Sequence, residues 1–126
     1  MYVATARFTL RIEGSHSLKE KRAVVRRAVD RVQQRFHVVL SEVGGSETLD
    51  TWQRADLAFA LVQPSRAQAE DAIASILAFV DSLGLAERIH DRHDVVAYGE
   101  DWYGEPALDR DDTSWVPAAW REEGSR

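Results

Sequence analysis

The first twelve residues alternate between apolar and polar side chains. Apolar residues occupy the even-numbered positions from Tyr2 to Ile12, and Arg7 and Arg11 stand at odd-numbered positions between them. A period of two puts successive residues on opposite faces of a β-strand. We therefore predict a strand over residues 2–12, with one face buried and both arginines on the other. Such a strand is stable only if further strands and a second layer cover its apolar face.

Two helices are predicted from capping signals and from apolar residues at helical spacing. A hydroxyl residue followed three positions later by Glu or Gln, the capping-box spacing, occurs twice, at Ser17–Glu20 and at Ser65–Gln68. The helices that follow are predicted over about residues 18–35 and 66–83, each with an apolar stripe. Gly84 ends the second helix at a position where a left-handed backbone is needed.

Three further strands complete the predicted order of elements. Segments 37–43 and 55–62 are rich in aliphatic and β-branched residues, and a fourth strand is predicted within 89–98. Right-handed crossovers then place both helices on one side of the sheet. This predicts an α+β fold: a ferredoxin-like βαββαβ two-layer sandwich with a four-stranded antiparallel sheet and a C-terminal extension. We predict a domain over 1–98 and an acidic, Trp-rich tail over 99–126.

The composition excludes several classes of protein. The chain has no cysteine, which excludes disulfides, thiolate catalysis and Cys-ligated metal sites. No apolar run approaches the ~20 residues that a membrane helix needs. The N-terminus lacks the basic and apolar regions of a signal peptide. We therefore expect a cytoplasmic protein that does not enter a membrane.

The net charge of −5 conceals an uneven distribution of charge. Residues 1–42 hold nine Lys and Arg against four Asp and Glu, whereas residues 99–126 hold eight Asp and Glu against three Arg. The overall acidity therefore belongs to the tail. It does not argue against a basic surface on the domain.

Basic residues concentrate on the first predicted helix, away from its apolar stripe. Lys and Arg that neutralise phosphates dominate the affinity of proteins for nucleic acids. We predict polyanion binding at six residues of this helix: Lys19, Lys21, Arg22, Arg26, Arg27 and Arg31. The backbone N–H groups at the start of the helix are further donors for an anion. The alternative is a charged face that serves solubility alone.

The histidines raise the question of a metal site. His90 and His93, together with Asp91 and Asp94, are residue types that bind metals. Positions 90 and 93 of a strand face opposite sides, so we predict a polar strand and no metal site. His16, in the loop before the first helix, could be a general base, but no nucleophile pairs with it in the sequence. We therefore predict no catalytic residue, no cofactor, no small-molecule substrate and no enzymatic activity.

Several segments resemble the bacterial YlxP-like family of small uncharacterised proteins. They are the N-terminal strand, the run GSHSLKEKR at 14–22, Glu42-Val43, and Trp52-Gln53-Arg54-Ala55. The resemblance covers about residues 1–98. It implies a ferredoxin-like fold and genes that lie beside those of translation and ribosome-maturation factors. The partner it implies is RNA or a ribosomal particle. The loop at 44–51 and the tail depart from the family pattern.

The mode of any RNA contact is constrained by the aromatic residues of the strands. Recognition of unstacked bases on a sheet needs aromatic side chains on the open face. Phe8 and Phe59 alternate in phase with aliphatic neighbours, so we expect both in the core. RNA contact is therefore expected through phosphates and shape.

Tryptophan residues supply a second hypothesis about partners. Trp and Arg are favoured at interfaces, so we predict partner contacts at Trp52, Arg54, Trp102, Trp115 and Trp120. The alternative for Trp52 is a side chain that closes the end of the core. One possibility is that the acidic tail folds back over the basic surface, with its acids in place of phosphates. The other is a homodimer, in which the tail and Trp52 form contacts and the open sheet is covered. We therefore predict an accessory factor for RNA or a ribosomal particle, with a homodimeric interaction module as the alternative.

Overall fold

A computed structural model of the chain describes residues 1–14, 16–44 and 53–102. Its elements, in chain order, are β1 (Tyr2–Arg11), α1 (Leu18–Phe36), β2 (Ser41–Val43), β3 (Arg54–Gln63), α2 (Arg66–Ser82) and β4 (Glu87–Ala97). The strands form one antiparallel sheet in the order β2-β3-β1-β4. The predicted α+β, ferredoxin-like βαββαβ fold is confirmed.

Strand β1 lies in the middle of the sheet and sets the pattern of burial. It pairs with β3 on one side, where Phe8 lies opposite Leu57 and Ala6 opposite Phe59. All four of these side chains are buried. Residues directly opposite each other point to the same face, so the even-numbered residues of β1 face the helices. The prediction that Phe8 and Phe59 lie in the core is confirmed.

Both helices pack their apolar stripes on this face of the sheet. The buried side chains are Val25, Ala28 and Val32 of α1 and Ala69, Ile73, Ile76, Leu77 and Val80 of α2. At the C-terminal ends of the helices, the rings of Phe36 and Phe79 meet edge to face with their centroids 5.4 Å apart. The two helices therefore lie side by side and leave the other face of the sheet open.

The serine half of each predicted capping box is present. The Ser17 hydroxyl accepts a hydrogen bond from the Glu20 N–H at 3.2 Å, and the Glu20 carboxylate accepts one from the His16 N–H. The carboxylate thus bonds one residue earlier than the usual box predicts. Before α2, the Ser65 hydroxyl accepts from the Gln68 N–H at 3.1 Å. These bonds satisfy donors that a helix start otherwise leaves without a partner.

The predicted strand over 37–43 is wrong for its first half, because β2 comprises only Ser41–Val43. The reason is His37, which ends α1 in the left-handed region at φ 57° and donates its N–H to the Gln33 carbonyl at 2.9 Å. A left-handed residue reverses the chain direction and is incompatible with extended strand geometry. Glycine is the usual residue at such a position, so the composition of this segment gave no sign of the helix end.

His37 offers a direct test of this geometry. A side chain in the left-handed region costs about 1–2 kcal/mol, and glycine avoids that cost. We expect His37→Gly to raise the free energy of unfolding by about 0.5–1 kcal/mol, measured by urea denaturation. His37→Ala keeps a Cβ at the same φ and serves as the control. Equal stability of the two variants would show that the left-handed conformation is not the cause.

Candidate functional site

The outward side of α1 carries a group of basic side chains. Five of the six predicted residues lie there with exposed side chains, and we name them the basic face: Lys19, Arg22, Arg26, Arg27 and Arg31. An α-helix turns by about 100° and rises 1.5 Å per residue. The spacing of these five residues therefore keeps them opposite the buried stripe of Val25, Ala28 and Val32. From Lys19 to Arg31 the basic face extends about 18 Å along the helix axis.

The cations of the basic face keep their charge unneutralised within the described part of the chain. None of the five forms an ion pair with another described residue. Three other arginines of the domain behave differently. Arg7 pairs with Asp56 at 3.2 Å, Arg88 pairs with Asp81 at 2.9 Å, and Arg11 pairs with Glu87. Among the described residues, the largest group of cations without an ion pair is therefore on α1.

A shallow hollow of about 350 Å³ lies within the basic face. Its lining consists of Ala23, Arg26, Arg27, Asp30, Arg31 and Gln34. The small side chain of Ala23 leaves room between the longer arginines around it. The hollow combines three guanidinium groups with one carboxylate and one amide, which suits a ligand that carries both phosphates and hydroxyl groups.

The placement of Lys21 on this exposed surface is wrong. Its side chain is 2% exposed, and its Nζ lies 3.1 Å from Glu42 Oε2 on β2. At 100° per residue, position 21 falls on the same side as Val25 and Ala28, so its aliphatic stem packs into the core. A helical projection of the sequence already shows this placement. Lys21 joins α1 to the short edge strand instead of presenting a cation to a ligand.

The N-terminus of α1 is already occupied by the chain's own side chains. The Ser17 hydroxyl and the Glu20 carboxylate accept hydrogen bonds from N–H groups at this end of the helix. The Glu20 carboxylate also places a negative charge there, which disfavours the approach of an anion. The predicted contribution of the helix N-terminus is therefore weakened, and binding by α1 depends on its basic side chains.

Arg7 and Arg11 lie on the open face of the sheet, as the alternation predicts. The Asp56 carboxylate accepts hydrogen bonds from Arg7 at 3.2 Å and from the Thr9 hydroxyl at 2.6 Å. Arg11 pairs with Glu13 at 3.2 Å as well as with Glu87. The two groups of basic residues thus lie on opposite faces of the domain, and those of the sheet are neutralised locally.

The two histidines of β4 face opposite sides, as predicted. His90 lies opposite Thr9 on the open face, whereas His93 lies opposite Ala6 and its Nε2 is 3.4 Å from Glu70 Oε1 of α2. Within 1–14, 16–44 and 53–102, no group of three or more His, Cys, Asp or Glu residues is arranged to hold a metal ion.

Strand β4 is fixed to α2 by Arg88. The guanidinium donates two hydrogen bonds to the Asp81 carboxylate, at 3.0 and 2.9 Å, and lies 3.2 Å from Asp91. The side-chain hydrogen bond to Asp81, together with the charges of both carboxylates, raises the pKa of Arg88 against the opposing effect of burial. This arrangement has a structural role, because both carboxylates are engaged by the one cation.

The predicted partner contacts are only partly described. Arg54 is exposed at the start of β3, and the Trp102 side chain is 46% exposed in the turn after β4. The Trp102 N–H donates to the Gly99 carbonyl at 3.0 Å, which closes that turn. The remaining residues of the set, Trp52, Trp115 and Trp120, lie outside the described residues.

An apolar area at one end of the open sheet face was missed by the sequence reasoning. Val3 lies opposite both Val62 and Val96, so the three form one row across the sheet. Val62, Val96 and Tyr98 are each more than half exposed. The signal was available, because valines at these three positions interrupt the polar side of the alternation.

The comparison with known families gives a match over residues 3–93 to a family described as "Protein of unknown function (DUF503)". The chain belongs to this family. It is 49% identical over 72 residues to the "Uncharacterized protein YlxP" of Bacillus subtilis (strain 168), an alignment that covers 57% of this chain and 75% of that protein. The resemblance to the YlxP-like family is therefore confirmed.

Among solved structures, the chain shows a distant similarity to a mutant of SnoaB, described as a cofactor-independent oxygenase from Streptomyces nogalater. The identity is 13% and the TM-score 0.38, with 77% of this chain and 91% of that chain covered. A similarity at this level carries no argument about activity.

Membership of DUF503, a family of unknown function, assigns no role to any residue. No helix in the described ranges is long and apolar enough to cross a membrane. The basic face is the feature of the domain that most directly favours a particular class of ligand.

Proposed function

We propose that this DUF503 member is a non-enzymatic accessory factor that binds RNA, free or in a ribosomal particle, through the basic face of α1. The observation that carries the proposal is the group of five exposed cations, which form no ion pair with another described residue. Lys and Arg contacts to phosphates supply most of the affinity in sequence-independent nucleic-acid binding. No catalytic group or cofactor is needed for this role.

The proposed contact is made to the RNA backbone. Phe8 and Phe59 are buried, so they do not offer rings on which bases could stack. On the open sheet face, Arg7 and Arg11 are held in local ion pairs. We therefore expect weak dependence on base sequence and strong dependence on salt, since phosphate contacts release counterions.

Removal of a single positive charge from the basic face tests this proposal. We expect Arg26→Gln to weaken the binding of a labelled RNA by about 3–10-fold, measured by fluorescence anisotropy, and to lower the salt slope by about 1. Arg92→Gln is the matched control, because Arg92 is exposed on β4 but lies opposite Arg7 on the open sheet face. An equal loss in the two variants would contradict a site on α1.

The second candidate function is homodimerisation through the open sheet face. It is favoured by the exposed row formed by Val62, Val3 and Val96, beside Tyr98. Exposed apolar areas that adjoin polar residues are typical of interfaces between proteins. The same face holds both Arg92 and Asp94, so a second copy related by a two-fold axis offers charges that can pair with them.

Sedimentation velocity tests the dimer. The full chain is expected to form dimers at micromolar concentration, and the double variant Val62→Glu, Val96→Glu is expected to remain monomeric because it places like charges in the contact. A monomer at every concentration of the unaltered chain would contradict this candidate. If the double variant still forms dimers, the dimer contact lies elsewhere on the protein.

A further inference from the structure

The basic face consists of two rows of cations with a less charged strip between them. At about 100° per residue, Lys19, Arg22 and Arg26 lie on one side of the outward surface of α1. Arg27 and Arg31 lie on the other side. The strip between the rows contains Ala23, Asp30 and Gln34, which together line the hollow.

We propose that this arrangement fits a groove of double-stranded RNA, with one row of cations on each phosphate backbone and the strip toward the groove. This inference rests on the proposed RNA-binding function and names the form of RNA that the basic face recognises. A single strand offers one line of phosphates, whereas a groove has one on each side. The two rows of cations match the two lines of phosphates that border a groove. The hollow between the rows then faces the floor of the groove.

The position of α1 within the domain favours binding to a wide, shallow groove. Helix α2 lies beside α1, as the contact between Phe36 and Phe79 shows, so only the outer surface of α1 is accessible. The major groove of B-form DNA is about 8.5 Å deep and receives helices that project from their domain. The minor groove of A-form RNA is wide and shallow, and side chains on an embedded helix can reach it. The exposed Glu70 and Asp71 of α2 carry negative charge, which disfavours phosphates on that helix.

The polar residues of the strip supply a means of distinguishing RNA from DNA. The shallow groove of an RNA duplex displays 2′-hydroxyl groups, which both donate and accept hydrogen bonds. The Gln34 amide has donors and an acceptor, and the Asp30 carboxylate accepts. Both residues line the hollow between the arginines. A DNA duplex lacks these hydroxyl groups and leaves the two side chains without partners.

Binding of the full chain to three ligands at one salt concentration tests the inference. The ligands are an RNA duplex of about 16 base pairs, a DNA duplex of the same sequence and an unpaired RNA of the same length. We expect the RNA duplex to bind about 10-fold more tightly than the other two, since hydroxyl and shape contacts add to the phosphate contacts. Gln34→Ala is expected to weaken binding of the RNA duplex about 3–10-fold and to leave the other ligands unchanged.

The matched control is Gln33→Ala, an exposed glutamine of the same helix that is not part of the hollow. Equal or tighter binding of the unpaired RNA would overturn the groove inference, while the loss in Arg26→Gln would still support the proposed function. An equal effect of Gln34→Ala and Gln33→Ala would also overturn it. Absence of binding to all three ligands would overturn both proposals.

Discussion

Replacement of Lys21 by alanine is expected to lower the free energy of unfolding by about 2–4 kcal/mol, because it removes one partner of a largely buried ion pair. The Lys21 side chain is 2% exposed and its Nζ lies 3.1 Å from Glu42 Oε2. Without the cation, Glu42 keeps a partly desolvated carboxylate next to the core. The packing of the long Lys21 stem is lost as well. Urea denaturation monitored by circular dichroism measures the change.

Two controls separate burial from charge. Lys19→Ala removes a cation from the exposed side of the same helix, and we expect a change within about 0.5 kcal/mol. The double variant Lys21→Met, Glu42→Leu replaces the pair by apolar side chains and is expected to recover most of the loss, since such replacements are often neutral. If Lys21→Ala and Lys19→Ala have equal effects, the buried pair is not a major source of stability.

The second large effect concerns ligand binding. The triple variant Arg26→Gln, Arg27→Gln, Arg31→Gln is expected to weaken RNA binding by about 100-fold or more at low salt, because three phosphate contacts are lost together. All three side chains are exposed, so the fold is expected to persist. Fluorescence anisotropy with labelled RNA measures the affinity, and circular dichroism checks the fold.

The matched control for the triple variant removes cations from the other face of the domain. Arg54 and Arg92 are exposed on the open sheet face, and the double variant Arg54→Gln, Arg92→Gln is expected to retain RNA affinity within about threefold, because its cations are too far from α1 to contact the same phosphates. If the control variant loses a comparable amount of RNA affinity, binding depends on the net charge of the protein and not on a defined site.

The basic face also has an energetic consequence for α1. Arg22 and Arg26, like Arg27 and Arg31, stand four residues apart, and each such pair of like charges lowers helix stability by about 0.2–0.5 kcal/mol. The triple variant is therefore expected to be slightly more stable than the unaltered chain. Interspersed charges of both signs give solubility without this loss of stability. A surface of like charges that lowers stability is therefore more readily explained by binding than by solubility.

Most of the fold follows from local patterns in the sequence. The alternation around Phe8 gives both the strand and its buried face, and the Ser17–Glu20 and Ser65–Gln68 spacings give the helix starts. The end of α1 cannot be predicted from these patterns, because His37 adopts a left-handed conformation that is unusual for a histidine. The segment 37–40 therefore looked like a strand, although only Ser41–Val43 pairs with β3.

The candidate site follows from the sequence only in outline. Helical spacing locates the basic face, and the same spacing, applied to Lys21, would have placed that residue in the core. The absence of ion pairs between the basic face and other described residues could not be predicted, because it depends on where Asp56, Asp81 and Glu87 come to lie in the fold. The hollow depends on how neighbouring arginines are arranged around Ala23, which sequence spacing does not determine.

RNA binding by the basic face is tested most directly by the salt dependence of the affinity, measured for the full chain and for the Arg26, Arg27 and Arg31 triple variant. For five phosphate contacts, the slope of log affinity against log salt is expected to be about −4.5 for an RNA duplex, and the triple variant is expected to reduce its magnitude by about 2.7. The slope counts the cations that contact phosphates, whatever the sequence of the RNA. An identical slope in the two proteins would contradict RNA binding by the basic face of α1.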